Sequence, residues 1–369
     1  MKALFLVQNF RQGWGGAPES VRLMARRLSA GGVTSDVNDG DKLFTAVERM
    51  ENLPTIADMG ETMGDISAYH AILIVGPWQR MRTIRNVLGQ MRKGQQLHYL
   101  PRGGLARIEF RGKRWLKKML YLAAIERSFM RRADSVIYSS RAEQDATVRL
   151  ARHLTTEHIV ADIFEALPLA STNAVRQDSG RFSTLGEISP RKGLVELADA
   201  FIAWADQTGR RNSVQLTIGG GVRAGYESYF AQLEAICHSA GGLIRMIGSV
   251  PHAERPQFYA GTDVFIVPSQ FESFGLTALE CLAAGCSLLV SPKVGVMEYI
   301  ASHPQVTIAE GLKREQLVAG LERSYIARDA SNHAAVSLWA DSVIDGINVK
   351  SFGQWFDILG KGVSHAPID

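Results

Sequence analysis

Residues 262–300 carry the pattern that most narrowly limits how this chain can fold. A short apolar run at residues 264–267 ends at a proline, which is typical of a buried strand. Helical apolar spacing then extends from residue 274 to residue 284, Gly285 ends it, and a second apolar run follows. Strand, turn, helix and strand in this order predict one right-handed βαβ unit of a parallel sheet.

Two acidic residues mark this unit. Glu272 falls on the turn at the carboxyl edge of the first strand, and Glu280 follows eight positions later on the helix, so both can face one space. Gly275 lies between them at the helix start, where free backbone N–H groups favour a phosphate. Taken singly, Glu272 is more simply a first-turn acid and Glu280 a solvated helix residue. Together, two carboxylates that can accept sugar hydroxyls beside an anion site favour a sugar nucleotide.

These residues resemble the E-x7-E signature of the retaining glycosyltransferases of glycosyltransferase family 4. The signature reads E-SFGLTAL-E in this chain and is followed by CLAAGCSLLVSPKVG. The resemblance is dense over the second half of the chain and patchy over the first. It implies the α/β fold called GT-B, in which two Rossmann-like, doubly wound domains face each other across an interdomain cleft. It also implies transfer of a sugar from a nucleoside diphosphate to a hydroxyl acceptor, with retention at the anomeric carbon.

Strands alternate with helices along the whole chain, and apolar runs at residues 2–7 and 71–75 predict two further strands. The 369 residues of the chain exceed what one core usually holds, so two domains are expected. We predict an N-terminal acceptor-binding domain at residues 1–170 and a C-terminal nucleotide-sugar-binding domain at residues 176–345. Residues 346–369 are predicted to form a C-terminal helix that packs back on the first domain, as the resemblance implies.

The resemblance also assigns site residues, position by position. Glu280 would hold the ribose hydroxyls, Glu272 would contact the donor sugar, and Lys192, with the backbone of Gly275 and Leu276, would bind the leaving diphosphate. Gly15 and Gly16 lie between a first strand and a helix, where a plain tight turn is the alternative to a ligand loop. The predicted site residues are Glu272, Lys192 and Arg191 as catalytic, Glu280, Ser273, Phe274, Gly275, Leu276, Gly15, Gly16 and Gly219 as donor-binding, and Arg102 and Gly103 on the acceptor side.

Three features depart from the family's pattern. The segment SPRKG keeps Lys192, but the family's arginine falls at position 187, where this chain has Glu187. An acid there would repel a diphosphate, so Arg191 is expected to supply the missing charge. The histidine expected after Val75 and the Pro-Asn-Gly hinge before the second domain are also absent. A non-catalytic sugar-nucleotide-binding partner in a polysaccharide assembly therefore stays open. A GT-B epimerase ranks last, because it needs clustered acids and histidines.

Charge divides the chain as well. Residues 1–175 hold 25 Lys/Arg and 17 Asp/Glu, a net charge of +8, and the remainder carries −4. Residues 111–133 alone contain eight basic residues and one acid, with apolar residues at three- or four-residue steps. Such a helix could lie on an anionic membrane surface, and a core helix with a solvated basic face is an equal alternative. No nucleic-acid motif accompanies the charge, so no nucleic-acid partner is predicted.

Composition limits the remaining expectations. The chain has no apolar run of about 20 residues that would predict a transmembrane helix, and its three cysteines lack the spacing of a zinc site. We expect no cofactor and no metal, with the nucleotide sugar as a substrate. The expected partners are that nucleotide sugar and a glycan or lipid-linked acceptor, in bacterial polysaccharide or lipid-linked glycan synthesis. The expected location is the cytoplasm, with peripheral binding at the inner face of the plasma membrane as an open alternative.

Overall fold

The computed structural model describes residues 1–7, 16–39, 42–47, 55–58, 66–78, 81–111, 115–165, 180–223, 225–329 and 333–360. It divides the chain into two compact units. Unit 1 comprises Met1–Phe164 and Gly346–Asp369, and unit 2 comprises Glu165–Asp345. Among the described residues, each unit is built around its own sheet, of eight strands in unit 1 and six in unit 2.

The sheet of unit 1 is centred on two apolar strands that are buried on both faces. Its strands are β1 (Lys2–Val7), β2 (Thr34–Asp39), β3 (Lys42–Val47), β4 (Thr55–Asp58), β5 (Ala71–Val75), β6 (Gln96–Leu100), β7 (Ser135–Tyr138) and β8 (Thr156–Ile159). Their spatial order is β4-β3-β2-β1-β5-β6-β7-β8. The runs KALFLV in β1 and AILIV in β5 are typical of interior strands in a parallel sheet.

One edge of this sheet differs from the wholly parallel arrangement that the sequence predicts. β3 pairs antiparallel with both β2 and β4, whereas the other strand pairs are parallel. Only Gly40 and Asp41 separate β2 from β3 in the sequence. A parallel pair needs a crossover of a dozen or more residues, so a link this short permits only an antiparallel pair.

Helices pack on both faces of the sheet of unit 1. They are α1 (Gly16–Ala30), α2 (Met81–Gln90), α3 (Trp115–Tyr121), α4 (Arg127–Arg132) and α5 (Arg141–Ala146). Alternate side chains of β1 enter two hydrophobic clusters, because Phe5 packs with Val21 of α1 and Leu4 packs with Met130 of α4. The helix predicted at residues 111–133 is shorter in the described residues, because Arg111 is extended and α3 begins at Trp115. A π-helical turn, Leu122–Glu126, joins α3 to α4.

The sheet of unit 2 is wholly parallel. Its strands are β9 (Gly180–Leu185), β10 (Val214–Gly219), β11 (Ile244–Gly248), β12 (Val264–Val267), β13 (Ser287–Val290) and β14 (Val306–Ile308). Its helices are α6 (Leu194–Gln207), α7 (Glu227–Ser239), α8 (Arg255–Ala260), α9 (Leu276–Ala283), α10 (Met297–Ile300) and α11 (Arg314–Asp329). The spatial order is β11-β10-β9-β12-β13-β14. From β9, the strands β10 and β11 therefore extend the sheet on one side. The strands β12, β13 and β14 extend it on the other side.

The last helix, α12 (His333–Ile358), begins in unit 2 and ends in unit 1. It starts before the C-terminal helix that the sequence predicts at residues 346–369. Its final turns pack into unit 1, where Trp355 and Phe356 join the cluster of Phe5 and Val21. Asn348 fixes it further, because its amide nitrogen donates to the Phe164 carbonyl at 2.7 Å and its amide oxygen accepts from the Phe164 N–H at 2.9 Å.

Candidate functional site

The predicted donor-site residues of unit 2 gather where the order of its strands reverses. β9 and β12 are adjacent central strands, and the loops that follow them leave the same carboxyl edge of the sheet. A 3-10 turn, Pro190–Lys192, lies in the loop after β9, and Glu272 lies in the loop after β12. In open α/β sheets, this reversal point is where ligands bind.

Glycine allows these two loops to touch through their backbones. Gly193 has a φ of +65°, and a Cβ placed there would lie 2.2 Å from the Pro268 carbonyl oxygen, so no side chain fits. The loops are also joined by hydrogen bonds, since the Gln270 N–H donates to the Arg191 carbonyl at 2.8 Å and its side-chain amide donates to the Pro190 carbonyl at 3.1 Å. The two loops therefore act as one support for the side chains beside them.

Glu272 is the centre of a charged cluster on this support. Its Oε1 accepts from Lys192 Nζ at 2.6 Å and from Ser269 Oγ at 2.6 Å, and its Oε2 accepts from Arg191 Nη1 at 3.0 Å. Arg191 also donates to the Phe271 carbonyl at 3.1 Å. Two cations thus converge on one carboxylate, and we call Arg191, Lys192, Ser269 and Glu272 the cation cluster.

The electrostatics keep Glu272 ionised. Burial alone would raise the pKa of Glu272, but the neighbouring charges of Lys192 and Arg191 and the hydrogen bonds lower it from 4.5 to about 2. With one negative and two positive side chains, the cation cluster carries a net positive charge. Such a cluster, whose own carboxylate can accept hydroxyls, suits a ligand that has both phosphates and a sugar.

The start of α9 borders the cation cluster in the sequence. Gly275 caps the helix with a φ of +104°, and a Cβ there would lie 2.5 Å from Val294 Cγ1. Leu276 is the first residue of α9, and the first N–H groups of a helix have no acceptor within it. Phe274 is buried, and its carbonyl accepts from the Val296 N–H at 2.7 Å, whereas Ser273 is half-buried. These contacts fix where α9 starts.

Glu280 is also buried, but its hydrogen bonds go to α8 and not to the cation cluster. Its Oε1 accepts from Arg255 Nη1 at 2.9 Å, and its Oε2 accepts from the Tyr259 hydroxyl at 2.5 Å. Sequence reasoning missed both partners, which lie 25 and 21 positions away. Each carboxylate oxygen has a second lone pair, so the predicted contact with ribose hydroxyls stays a prediction.

Glu187 pairs with a residue outside the cation cluster. Its Oε1 is 3.4 Å from Arg223 Nη1 on the surface, whereas Arg191 binds Glu272. The preceding Gly186 makes room for Lys192, because a Cβ there would lie 3.3 Å from Lys192 Nζ. Gly219, at the end of β10, supports the same loop by accepting the Gly186 N–H at 3.0 Å.

Serines that sequence reasoning did not single out also contribute to this region. Ser269 belongs to the cation cluster, and its carbonyl accepts from the Ser291 hydroxyl. Ser189 directly precedes the 3-10 turn, and its buried hydroxyl has no hydrogen-bond partner among the described residues. Their positions in the sequence, just after two central strands, could have indicated that both serines lie near the site.

The candidates of unit 1 lie at the carboxyl edge of its sheet or outside the described residues. Gly15 is outside them, and Gly16 begins α1. The Arg102 side chain is buried and forms an ion pair with Asp162, and the Gly103 N–H donates to Glu143. Burial lowers the pKa of Arg102 to about 10. Because its guanidinium is bound inside unit 1, a direct contact between Arg102 and an acceptor stays a prediction.

The described residues contain neither a metal-binding group nor a membrane-spanning helix. No three or more of their His, Cys, Asp or Glu side chains are arranged to hold a metal ion. None of the helices in the described part of the chain is long and apolar enough to cross a membrane.

The site region resembles known proteins in sequence. Residues 171–334 match the family model "Glycosyl transferases group 1". O-antigen chain mannosyltransferase B of Escherichia coli is 26% identical over 164 residues, which cover 44% of this chain and 41% of that protein. The D-inositol 3-phosphate glycosyltransferase of Actinosynnema mirum is 29% identical over 192 residues, which cover 48% of this chain and 45% of that protein. The chain thus spans less than half the length of these curated relatives.

Solved structures extend the likeness to nearly the whole chain. Sucrose-phosphate synthase from Thermosynechococcus elongatus has a TM-score of 0.73 at 16% identity, over 97% of this chain and 99% of that chain. Alr3699/HepE of Anabaena, solved in complex with UDP and glucose, has a TM-score of 0.67 at 16% identity, over 96% of this chain and 99% of that chain. At such identities the likeness concerns the fold, and it confirms the predicted α/β, GT-B class.

Proposed function

We propose that this protein is a retaining glycosyltransferase that moves a sugar from a nucleoside-diphosphate sugar to a hydroxyl acceptor. The observation that carries the proposal is the cation cluster, in which Arg191, Lys192 and Glu272 meet where the strand order of unit 2 reverses. The match of residues 171–334 to the group 1 glycosyl transferases supports it. The Anabaena neighbour binds UDP and glucose, which agrees with a donor of this class.

The contacts of the cation cluster suggest how a donor binds. Lys192 and Arg191 both donate to Glu272, at 2.6 and 3.0 Å. A diphosphate offers stronger and more numerous acceptors for the same N–H groups. We expect the donor diphosphate to draw Lys192 and Arg191 towards itself, and this leaves Glu272 to accept a hydroxyl of the donor sugar. The half-buried N-terminus of α9 adds backbone donors beside it.

The same groups would lower the barrier to transfer. As the bond between the anomeric carbon and the phosphate oxygen breaks, negative charge grows on the leaving diphosphate, and Lys192 and Arg191 stabilise it. Retention requires that the acceptor attack from the face that the leaving group occupies. A phosphate oxygen of the donor can then receive the acceptor proton, so no protein base is needed there. We propose no metal, because the two cations and the helix N-terminus supply the positive charge.

The acceptor belongs, in this proposal, to bacterial polysaccharide or lipid-linked glycan synthesis. The curated relatives include an O-antigen chain mannosyltransferase of Escherichia coli and a lipopolysaccharide 1,2-N-acetylglucosaminetransferase of Salmonella typhimurium. The basic charge of residues 1–175 is compatible with an anionic or membrane-held acceptor. We place the protein in the cytoplasm, at the inner face of the plasma membrane when it acts on a lipid-linked acceptor.

A second candidate is a non-catalytic partner that binds sugar nucleotides in a polysaccharide assembly. Glu187 motivates it, because an acid among the donor phosphates would oppose binding. In the structure, however, Glu187 is half-exposed and pairs with Arg223, whereas Arg191 is in the cation cluster. The geometry therefore favours the transferase.

Hydrolysis of a panel of nucleotide sugars without acceptor, followed by chromatography of the released nucleotide, tests the proposal. We expect one nucleotide sugar to be consumed, and Lys192→Ala to slow its consumption at least about tenfold, which corresponds to ~1.4 kcal/mol of lost transition-state stabilisation. Lys313→Ala, which alters an exposed lysine of the same unit, is the matched control. Binding of a nucleotide sugar without any turnover would assign the protein to the second candidate.

A further inference from the structure

The outer side of α3 exposes three large apolar side chains within six residues. Trp115, Leu116 and Leu120 are 51%, 55% and 62% exposed. Ala123 and Ala124, in the π-helical turn that follows, are exposed as well. Single exposed apolar residues are normal on a protein surface, but a contiguous group of this kind marks an interaction site.

The inner side of the same segment is firmly held in unit 1. Leu122 and Met130 are buried in the cluster that contains Leu4. Glu126, the only acid of residues 111–133, is buried, and it accepts from the Trp78 N–H at 2.6 Å and from the Tyr99 hydroxyl at 2.9 Å. The apolar group on the outer side therefore belongs to a well-anchored helix, and its exposure follows from the packing of the opposite side.

Exposed basic residues flank this apolar group along the sequence. Arg111, Lys117, Arg131 and Arg132 are exposed on the same segment. Because Glu126 is buried, the exposed side chains of this segment include basic residues and no acid among the described positions. A partner that covers the apolar group must therefore carry negative charge around an apolar interior.

We propose that this outer side, defined by Trp115, Leu116, Lys117 and Leu120 and named the α3 face, docks on an anionic lipid bilayer. A bilayer offers hydrocarbon to the leucines, an interfacial layer that tryptophan favours, and anionic headgroups for Arg111, Lys117, Arg131 and Arg132. Lysine and arginine side chains can extend towards the headgroups while their stems cover apolar surface.

The position of α3 in unit 1 connects docking to the proposed function. Trp78 follows β5 at the carboxyl edge of the sheet, where α/β folds bind ligands. Its ring packs 5.5 Å from Tyr121 of α3 and 5.8 Å from Phe110. A bilayer on the α3 face would therefore lie one helix away from the loop after β5. Docking on a bilayer deepens the proposed function, and rests on it, because it places the acceptor in a membrane.

Vesicle flotation with the full chain tests docking without any substrate. We expect binding to vesicles with about 30 mol % phosphatidylglycerol and none to pure phosphatidylcholine, and a loss of binding between about 50 and about 500 mM NaCl. Leu116→Ser with Leu120→Ser should lower the partition coefficient about tenfold or more. The matched control is Leu338→Ser with Val349→Ser, which alters leucine and valine side chains that are 72% and 63% exposed elsewhere.

The charge contribution is tested in the same assay. Lys117→Gln with Arg131→Gln and Arg132→Gln should weaken binding about tenfold or more, whereas Arg92→Gln with Lys93→Gln and Arg149→Gln, which removes three other exposed charges of unit 1, should not. Quenching of tryptophan fluorescence by brominated lipids should fall on Trp115→Phe. Thermal melts of all variants establish that each has folded.

Three results would overturn the proposal. The first is equal binding to neutral and anionic vesicles, and the second is an equal loss of binding in the α3-face variants and their controls. Third, if RNA binding or self-association disappears in the α3-face variants and vesicle binding does not, the face has another occupant. Failure of docking would leave donor turnover unaffected, and failure of turnover would leave vesicle binding unaffected, so the two proposals fail separately.

Discussion

Glu272 combines two tasks in the proposed mechanism, because it neutralises Lys192 and Arg191 and later accepts a sugar hydroxyl. Glu272→Gln keeps the size of the side chain and removes its charge. We expect tighter binding of the free nucleoside diphosphate, since the two cations lose their internal partner, and at least about a tenfold lower kcat. Calorimetry with UDP, GDP and ADP and a turnover assay measure the two effects.

The control for this change is Glu310→Gln, at an exposed acid of the same unit. The two effects have opposite directions, so a general loss of structure would not reproduce them. If Glu272→Gln weakens nucleoside diphosphate binding as much as it slows turnover, Glu272 supports the loop and does not compete with the phosphates.

A second prediction concerns single residues and compares Arg191 with Glu187. Arg191 belongs to the cation cluster, whereas Glu187 pairs with Arg223 at the surface, with 3.4 Å between Glu187 Oε1 and Arg223 Nη1. Arg191→Ala should therefore lower turnover at least about tenfold, while Glu187→Arg should change it little. Arg314→Ala, at an exposed arginine paired with Asp199, controls for the loss of a surface charge. Full turnover in Arg191→Ala together with a strong gain in Glu187→Arg would show instead that Glu187 is a defect.

At the scale of elements, Gly193 determines how closely the loops after β9 and β12 approach. Gly193 and Gly209 both have a positive φ, of +65° and +67°, but only Gly193 faces a backbone oxygen within 2.2 Å of a new Cβ. Around Gly209 no described atom lies within 4 Å of such a Cβ. Alanine at either position costs about 1–2 kcal/mol for the left-handed backbone, so the pair separates conformational strain from the close contact.

We therefore expect Gly209→Ala to lower stability modestly and to leave turnover unchanged. Gly193→Ala should lower stability further and slow turnover, because Lys192 moves with the displaced loop. Urea unfolding measures the first effect, and donor hydrolysis measures the second. Equal stability and turnover in both variants would mean that the loop accommodates the new Cβ without moving Lys192.

The elements also explain which parts could be predicted from the sequence. β1, β5, β12 and β13 are short apolar runs, and interior parallel strands require that pattern, so their positions were confirmed. β2, which reads TSDVND, lacks it and was missed. The convergence of Arg191, Lys192 and Glu272 follows from the parallel sheet order, because neighbouring strands place their loops at one edge.

The partners of buried side chains could not be predicted from local sequence patterns. Arg255 and Tyr259 of α8 bind both oxygens of Glu280, and the contact of Glu280 with a ligand stays a prediction. Asp162, sixty positions later, pairs with Arg102 inside unit 1, and the acceptor-side role of Arg102 stays a prediction. Such pairings depend on how elements pack, and the spacing of residues within one element does not encode them.

For the whole molecule, the two units contain different buried titratable groups. In unit 1, burial lowers the pKa of His98 from 6.5 to about 4, against the charge of Asp134, with His158 and His70 adding to the lowering. In unit 2, the charges of Lys192 and Arg191 overcome burial and lower the pKa of Glu272 from 4.5 to about 2. Both groups take up protons more readily in the unfolded chain, so both make stability fall as the pH falls, but over different ranges.

Unit 1 should therefore lose stability first on acidification. Between pH 6.5 and about 4, His98 is protonated in the unfolded chain and not in the folded unit. This difference lowers the free energy of unfolding of unit 1 by roughly 3 kcal/mol. The contribution of Glu272 to unit 2 is lost only between pH 4.5 and about 2. His98→Gln should flatten the pH dependence of the stability of unit 1 above about pH 4, whereas His153→Asn, at an exposed histidine of the same unit, should not. Hydrogen exchange of peptides from β6 and β12 during urea unfolding follows the two units separately. If β12 loses protection before β6 as the pH falls from 6.5 to about 4, His98 does not govern the acid response of unit 1.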